Sequence, residues 1–454
     1  MTMAFALILL VVGTLLFHFL SPWWFTPIAS NWQTMDDTVN LTFWVTGVVF
    51  VATNLFMAYA VIRYRHRHGQ PQERVHYEPE NKKLEWWLTG LTSVGIAAML
   101  APGLVVWAKF VTVPKGTPEV EVLAQQWNFA YRFPGEDGAL GTTNIRLVNL
   151  DNPFGIDPKD AKGQDDILVA SPELHLPLDQ PIKMVLRSKD VNHQFAVPQF
   201  RVKMDMVSGM VTYFWLTPTR TGAFDVLCEQ LCGMAHFAMR GRVVVDEAET
   251  FQSWLAKQPT FAQTVAASAG DASVGQALYA VCAACHGAQA QGNRDLNAPK
   301  LSGQASWYLI RQLQDYKQGI RGADDRDVYA KQMAPFTATL ADDAAIKNVV
   351  AYIASLPEVR PESTVVGNPA RGKMLYSTCS SCHGAVGQGI WSTNAPRLSN
   401  MSDWYLKRQL QNFQQGIRGA HPQDFNGAQM ASFAQALRAD EEAINDLVDH
   451  IRTL

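Results

Sequence analysis

Charged residues are scarce in this sequence, and they are absent from its first 35 positions. Asp, Glu, Lys and Arg make up 17% of the 454 residues, against about 25% in an average soluble protein. The net charge of −3 leaves no basic surplus of the kind that nucleic-acid binding requires. Gly and Pro, at 31 and 23 residues, are too few for a low-complexity chain. The composition therefore excludes disordered and fibrous proteins and predicts membrane helices followed by a water-soluble part.

Three uncharged apolar runs lie before residue 111. The runs 41–62 and 86–108 are each long enough to cross a bilayer core, which takes about 20 residues in a helix. They predict a transmembrane hairpin within residues 41–110. Residues 1–24 are either an additional transmembrane helix or a signal peptide. Because a basic leader and a clear cleavage site are both missing, we favour the retained helix.

The distribution of basic residues predicts the orientation of the hairpin. The loop 63–85 carries six of them, whereas residues 25–40 carry two Asp and no Lys or Arg; the six are Arg63, Arg65, Arg67, Arg74, Lys82 and Lys83. Lys and Arg favour the cytoplasmic side of a membrane, so everything after Lys109 is expected on the outer side. The prediction is a bacterial inner-membrane protein, in contact with lipid, whose soluble domains face the periplasm.

Short alternating runs dominate residues 111–255. Hydrophobic and polar residues alternate at 120–124 and 182–187, and similar runs follow at 223–227 and 242–245. Several short strands separated by turn residues favour an all-β antiparallel sandwich or barrel. The polar stretch 151–166 is expected to be a surface loop.

A set of soft metal ligands closes this domain. Cys228, Cys232, His236 and Met239 follow the spacing C-x3-C-x3-H-x2-M, and His193 lies upstream at the end of a strand. Thiolates, imidazoles and a thioether suit copper, and two cysteines are enough to bridge two metal ions. The competing interpretation is a structural zinc site made by the two cysteines and two histidines. The methionine argues against zinc, because a thioether adds nothing to such a site.

The segments 186–209 and 228–239 resemble the copper-binding subunit II of haem–copper cytochrome c oxidases, and the resemblance extends over residues 36–250. It implies a cupredoxin domain with the binuclear copper centre CuA. It also implies a role for each ligand: Cys228 and Cys232 bridge the two coppers, His193 and His236 are terminal ligands, Met239 is a weak ligand, and Glu229 contributes its backbone carbonyl. Met234 is the competing thioether, but Met239 matches the spacing of the family.

Two further positions resemble functional residues of that family. Residues 126–131 resemble its aromatic stretch, whose first Trp is the entry point for electrons and corresponds to Trp127. In this chain electrons are expected to enter at the haems, so we expect Trp127 to be their exit from CuA toward subunit I; the alternative is an ordinary core aromatic. Glu85 resembles the family's Glu at the mouth of a proton-uptake path. Here Trp87 comes one place earlier than the family's Trp, and the alternative for Glu85 is a solvated flank of a membrane helix.

A tandem repeat occupies the C-terminal part of the chain, after a linker expected at 256–273. The motif C-x-x-C-H, the attachment signature of haem c, occurs twice with an offset of 97 residues: Cys282, Cys285 and His286, then Cys379, Cys382 and His383. Gly275 and Gly372 share this offset, as do several other residues. The repeat predicts two covalent haem c groups in two all-α class I cytochrome c domains, 274–357 and 366–454. The pair resembles the dihaem cytochromes c that consist of two fused lobes.

The repeat also selects the second axial ligand of each haem. Met333 is the single methionine of the first copy, and its counterpart is Met430. The positions of the first copy that are equivalent to Met374 and Met401 hold no methionine, and the position equivalent to His421 holds no histidine. A lone methionine would be assigned to core packing, but the duplicated position favours ligation. Two cysteines for copper and four for haem account for all six in the chain.

Together these features predict a multidomain membrane protein, subunit II of a proton-pumping haem–copper cytochrome c oxidase fused to a dihaem cytochrome c. Cytochrome c or another periplasmic donor would supply electrons to the haems, which pass them to CuA. Subunit I, with its haem and CuB, would then reduce dioxygen to water, and subunit III is a further expected partner. The alternatives are a CuA-bearing subunit of a nitric oxide or nitrous oxide reductase, and a membrane-anchored electron-transfer module without an enzyme partner.

Overall fold

The structure is a computed structural model that describes residues 2–21, 26–65, 80–149, 152–266, 270–437 and 441–454. Arg67 and Arg74, on which part of the orientation prediction rests, lie outside the described residues. Asp151, the first residue of the predicted loop, also lies outside them.

Three long apolar helices form the N-terminal part: α1 (Thr2–Leu20), α2 (Gln33–Arg63) and α3 (Lys82–Val111). Each is long and apolar enough to cross a membrane, and most of their large apolar side chains are exposed. The helix α1 packs against α2, which packs against α3. The predicted membrane helices are thus confirmed. The helices α2 and α3 are longer than the apolar runs, since they also include polar residues that flank these runs.

The described residues that follow contain ten strands, which form two five-stranded sheets. The strands are β1 (Glu119–Gln125), β2 (Asn128–Phe133), β3 (Ile167–Val169), β4 (Glu173–Pro177), β5 (Ile182–Ser188), β6 (His193–Val197), β7 (Val202–Met206), β8 (Thr212–Leu216), β9 (Gly222–Leu227) and β10 (Arg240–Asp246). The strand order is β3-β2-β1-β5-β8 in one sheet and β4-β10-β9-β6-β7 in the other. Aromatic and aliphatic side chains fill the space between them, including Phe129, Phe195 and Phe214.

The prediction of a β-sandwich is confirmed, but the prediction that its strands pair antiparallel is wrong for two strand pairs. The strand β1 pairs with β5 in parallel, and β4 pairs with β10 in parallel. Alternation of polar and apolar residues reports which side of a strand is buried, and it carries no information about the direction of the neighbouring strand.

A buried ion pair joins the β-domain to the helical hairpin. The Arg201 guanidinium donates two hydrogen bonds to the Asp36 carboxylate, at 2.6 and 2.9 Å. The indole of Trp32 donates to the carbonyl of Trp215, whose own indole donates to the carbonyl of Lys109. The outer ends of α2 and α3 are therefore both fixed to the β-domain.

The predicted surface loop and linker are more ordered than the sequence suggested. Phe154 and Ile156 are buried, and Phe261 packs against them. Two short helices, α4 (Ala248–Leu255) and α5 (Phe261–Ala266), occupy the region from the end of the β-domain into the linker. The backbone N–H of Phe261 donates to the carbonyl of Asp166 at 2.7 Å. The packing of Phe261 and the backbone hydrogen bonds of this segment together attach the first part of the linker to the β-domain.

In the described residues 270–437 and 441–454, eight α-helices form the two C-terminal lobes. They are α6 (Ala272–His286), α7 (Ser306–Lys317), α8 (Val328–Thr337), α9 (Asp343–Ser355), α10 (Pro369–His383), α11 (Asp403–Gln414), α12 (Phe425–Ala434) and α13 (Glu441–Thr453). In each lobe the first helix crosses the last, at Gly275 and at Gly372. An added Cβ would collide there with the carbonyl of Asn348 or of Asp446. Both first helices begin three residues earlier than these glycines, because Asp271 and Asn368 cap them.

Candidate copper centre and haem pockets

The two cysteines of the β-domain face one another on the loop between β9 and β10. Their sulfur atoms, in Cys228 and Cys232, lie 3.7 Å apart, and both side chains are buried. The Nδ1 atom of His193 lies 4.0 Å from the Cys228 sulfur, and that of His236 lies 3.5 Å from the Cys232 sulfur. Each thiol therefore has its own imidazole, an arrangement that suits two metal ions bridged by two sulfurs.

The candidate weak ligands differ sharply in burial. Met239 is 1% exposed, and its sulfur lies 3.8 Å from the Cys232 sulfur. Met234 is 49% exposed. The carboxylate of Glu229 forms a surface ion pair with Lys203, so this side chain is directed away from the thiols. Its expected contribution through the backbone carbonyl is compatible with that orientation.

A carboxylate that the sequence analysis missed orients one of the histidines. The Nε2 atom of His193 lies 2.8 Å from Oδ1 of Asp190. Asp190 in turn accepts hydrogen bonds from the backbone N–H groups of Gln126 and Val191. This contact leaves Nδ1 of His193 directed toward Cys228, as in metal sites where a carboxylate fixes the ligand tautomer. The spacing D-x-x-H was the available signal.

The donor groups of the cluster shift one another's pKa. A hydrogen bond with the Cys232 thiol lowers the pKa of Cys228, and the contact with His193 lowers it further, whereas the contact with Cys228 raises the pKa of Cys232. Burial alone would lower the pKa of His193, but its hydrogen bonds with Asp190 and Cys228 outweigh burial and raise it. Together with Met239, two sulfurs and two imidazoles form a donor set that fits a pair of copper ions. A single tetrahedral zinc would leave the thioether without a role.

The other two predicted positions of the oxidase-like region lie in different places. Trp127 is buried, and its indole N–H donates to the carbonyl of Cys232 at 3.0 Å. The side chain of Gln126 donates to the same carbonyl at 2.9 Å. Glu85 lies exposed in the first turn of α3. Lys109, which contacts the β-domain, is about 36 Å further along the helix at 1.5 Å per residue, so Glu85 belongs to a separate region.

Each cytochrome lobe contains a cavity lined by its predicted haem residues. The cavity of the first lobe, about 1350 Å³, is lined by Cys282, Cys285, His286 and Met333. The cavity of the second lobe, about 1210 Å³, is lined by Cys379, Cys382, His383 and Met430. In both lobes Nδ1 of the buried histidine lies within hydrogen-bond distance of a proline carbonyl. The distance is 2.8 Å from His286 to Pro299 and 2.7 Å from His383 to Pro396. The Nε2 atoms are thereby available for an iron.

Two of the three rival axial residues are placed less favourably. Met374 is 70% exposed on the outside of α10, and His421 does not line the cavity of its lobe. Met401 is buried and lines both cavities.

In the first cavity the Nε atom of Arg321 is buried without a hydrogen-bond partner. A buried donor of this kind fits an anionic group such as a haem carboxylate.

The two lobes meet through a reciprocal set of contacts. Arg321 donates to the hydroxyl of Tyr405 at 2.5 Å, and Arg418 donates to the hydroxyl of Tyr308 at 2.9 Å. These residues are equivalent at the offset of 97, so the interface repeats each contact in the opposite direction. Tyr308 and Tyr405 line both cavities, as do Gln304, Gln312, Met401 and Gln409. The cavities are therefore neighbours that share a wall.

Substitution of Met239 tests whether the thioether belongs to the metal site. We expect Met239→Leu to retain copper, but to shift the near-infrared band and the reduction potential of the copper pair, because a weak axial ligand tunes both. Met234→Leu is the matched control and should change neither. The measurement is a redox titration followed by near-infrared absorption. Equal behaviour of the two variants would remove Met239 from the site.

Substitution of the paired methionines tests the axial ligands. Met333→Leu and Met430→Leu should each lower the reduction potential of one of the two haems, because loss of the thioether removes the ligand that raises it. Met374→Leu, on the exposed surface, should leave both potentials unchanged. Optical redox titration of the purified chain separates the two haems. A pair of unchanged potentials in either of the first two variants would contradict the assignment.

Comparisons with known proteins agree with this division of the chain. The sequence model for cytochrome C oxidase subunit II, periplasmic domain, matches residues 119–247, and the model for cytochrome c matches residues 272–357 and 369–454. Alternative cytochrome c oxidase subunit 2 of Bradyrhizobium diazoefficiens is 55% identical over 262 residues, which cover 58% of this chain and 94% of that protein.

Two further relatives match the two halves separately. Cytochrome c oxidase subunit 2 of Cereibacter sphaeroides is 24% identical over 238 residues, covering 51% of this chain and 77% of that protein. Cytochrome c4 of Pseudomonas aeruginosa is 34% identical over 167 residues, covering 34% of this chain and 76% of that protein. The resemblance noted in the sequence is confirmed, and with it CuA copper and two covalent haem c groups. The chain belongs to the cytochrome c oxidase subunit II family, with two cytochrome c domains behind its copper domain.

Proposed function

We propose that this chain is the electron-input subunit of a proton-pumping haem–copper oxygen reductase in a bacterial inner membrane. The chain takes electrons from cytochrome c or another periplasmic donor at its cytochrome lobes. It delivers them through its copper domain to subunit I, where a haem and CuB reduce dioxygen to water. Subunit III completes the complex.

The contact between Trp127 and the copper loop is the observation that carries this proposal. Trp127 donates a hydrogen bond to the carbonyl of Cys232 and lies in the same buried core as Cys228. An indole in direct contact with a metal-ligand residue gives electrons a short path out of the site. In this proposal Trp127 connects the copper domain to subunit I.

The ligand assignments complete the proposal. The copper ions would be held by Cys228, Cys232, His193, His236, Met239 and the backbone carbonyl of Glu229. The haems would be held by Cys282, Cys285, His286 and Met333 in the first lobe and by Cys379, Cys382, His383 and Met430 in the second. When bound, these groups supply one-electron redox chemistry, and His/Met ligation raises the haem potential. Around them Asp190 fixes the orientation of His193, and Pro299 and Pro396 fix those of the haem histidines.

Fusion of the lobes to the copper domain has a kinetic consequence. Two covalently linked modules meet at an effective concentration set by their linker, which for short linkers is on the order of millimolar. Here α5 attaches the first half of the linker to the β-domain, which restricts the lobes further. Delivery to the copper domain therefore avoids a diffusional encounter at each turnover.

Glu85 has a separate proposed role. It lies in the first turn of α3, at the end of the helix remote from the β-domain. The positive-inside argument places this end at the cytoplasmic surface, where protons for the reaction must be taken up. We assign Glu85 to the mouth of that uptake path, independent of the electron path through Trp127.

Trp127→Phe in the purified complex tests the electron path. The variant keeps an aromatic ring but loses the N–H that contacts the Cys232 carbonyl, so we expect oxygen consumption with reduced cytochrome c to fall about tenfold. The lobes should still be reduced at the normal rate. The measurement combines an oxygen electrode with haem spectra.

The matched control is Trp254→Phe. Trp254 lies in α4, where it stacks on His175 and does not contact the copper loop. Undiminished oxygen consumption in Trp127→Phe would contradict the proposed path. Consumption of nitric oxide in place of oxygen would support the reductase alternative instead.

A further inference from the structure

The two cytochrome lobes are equivalent in sequence but have different surroundings. The second lobe contacts the copper domain directly. The side chain of Gln429 donates to the carbonyl of Trp127 at 3.1 Å, and the side chain of Gln125 donates to the carbonyl of Ser392 at 2.5 Å. The Lys189 ammonium lies over the ring of Trp391, 4.7 Å from its centroid. Two hydrogen bonds and one cation–π contact thus hold the second lobe on this face.

These contacts surround the haem-attachment motif of the second lobe. The hydroxyl of Ser381, inside that motif, lies 3.7 Å from the sulfur of Met234 on the copper loop. The rings of Phe433 and Phe237 meet at a centroid distance of 5.4 Å. Cys382 packs against the same apolar core that contains the copper cysteines. The open edge of the second haem cavity therefore faces the copper site.

In the described residues, the equivalent surface of the first lobe, around its haem-attachment motif, makes no such contacts with the copper domain. In the described part of the chain, no hydrogen bond, ion pair or aromatic contact joins residues 270–357 to residues 119–247. Ala284, the counterpart of Ser381, is exposed. Phe336, the counterpart of Phe433, is 41% exposed, and Val281 and Leu296 nearby are 45% and 44% exposed. An apolar rim around the first cavity is open to solvent.

The two cavities are connected by the interface between the lobes. Tyr308 and Tyr405 line both cavities, and Arg418 and Arg321 hold their hydroxyls from the opposite lobe. The second cavity thus lies between the first cavity and the copper loop, in contact with both through single layers of side chains.

We propose that electrons pass through the chain in one fixed order: external donor, first lobe, second lobe, copper domain. This order rests on the proposed function and assigns each lobe a distinct part in it. Each step moves one electron and no atoms. The donor is oxidised as the first lobe is reduced, the first lobe is reoxidised as the second is reduced, and the second is reoxidised as the copper domain is reduced.

A matched pair of variants tests the order in the full complex, under anaerobic conditions. Ser381→Arg places a bulky charge between the second lobe and the copper loop, and Ala284→Arg places the same side chain on the equivalent, open position of the first lobe. The complex is mixed with reduced soluble cytochrome c in a stopped-flow instrument. Haem absorbance reports reduction of the lobes, and bleaching of the near-infrared band reports reduction of the copper pair.

The two variants should affect different steps. Ser381→Arg should slow bleaching of the copper band about tenfold or more, because the added side chain lengthens the gap that the electron must cross, and reduction of haem by the donor should be unchanged. Ala284→Arg should slow the donor-concentration-dependent reduction of haem and leave the subsequent bleaching unchanged. Ser381→Gln, which adds less bulk, should give an intermediate rate, and equal haem and copper contents in all variants show that the fold is intact.

The opposite pattern would overturn the order. Slower bleaching of the copper band in Ala284→Arg would place the first lobe next to copper. Slower donor-dependent haem reduction in Ser381→Arg, with normal bleaching, would place the second lobe next to the donor. An absence of any effect in both variants would also contradict it. Because no oxygen is present, these results do not depend on which substrate the partner subunit reduces, so a failure of the proposed function is recognised separately.

Discussion

The donor atoms of two cysteines, two histidines and one methionine must converge on one point. Four of these residues lie on the loop between β9 and β10, and His193 lies at the start of β6. The rest of the β-domain depends on the contacts that bring them together. The carbonyl of Cys232 receives hydrogen bonds from both Gln126 and Trp127, which ties the copper loop to the turn after β1. Asp190 binds the same turn through the backbone of Gln126 and also orients His193. One network of hydrogen bonds therefore holds the ligands, the proposed electron exit and the surface that receives the second lobe.

Duplication supplied two lobes that bind haem in the same way and differ in what they contact. The offset of 97 residues is retained in the haem histidines, the proline carbonyls that orient them and the arginine–tyrosine pairs between the lobes. The reciprocal contacts use one surface of each lobe, which leaves the haem edge of each lobe for a second partner. In the second lobe that edge meets the copper loop at Met234 and Phe237, whereas in the first lobe it is open.

The sequence carries more information about the candidate site than about the strand pairing and loop packing around it. Ligand types and spacing were sufficient to select Cys228 and Cys232, and the repeat was sufficient to select Met430 over Met401. Asp190 was missed because a single acidic residue near a histidine is common in any sequence. The parallel pairing of β1 with β5, the packing of Phe261 and the contact of Ser381 with Met234 depend on long-range geometry, which neither periodicity nor spacing encodes.

Metal and haem analysis of the purified chain, with its optical and near-infrared spectra, tests the central claim most directly. The account predicts two copper ions and two covalent haems per chain, with the near-infrared band of a copper pair that shares one unpaired electron. Zinc in place of copper would show that Met239 lies beside a structural site. One covalent haem per chain would show that the two equivalent cavities do not have equivalent roles, and either result would contradict the account.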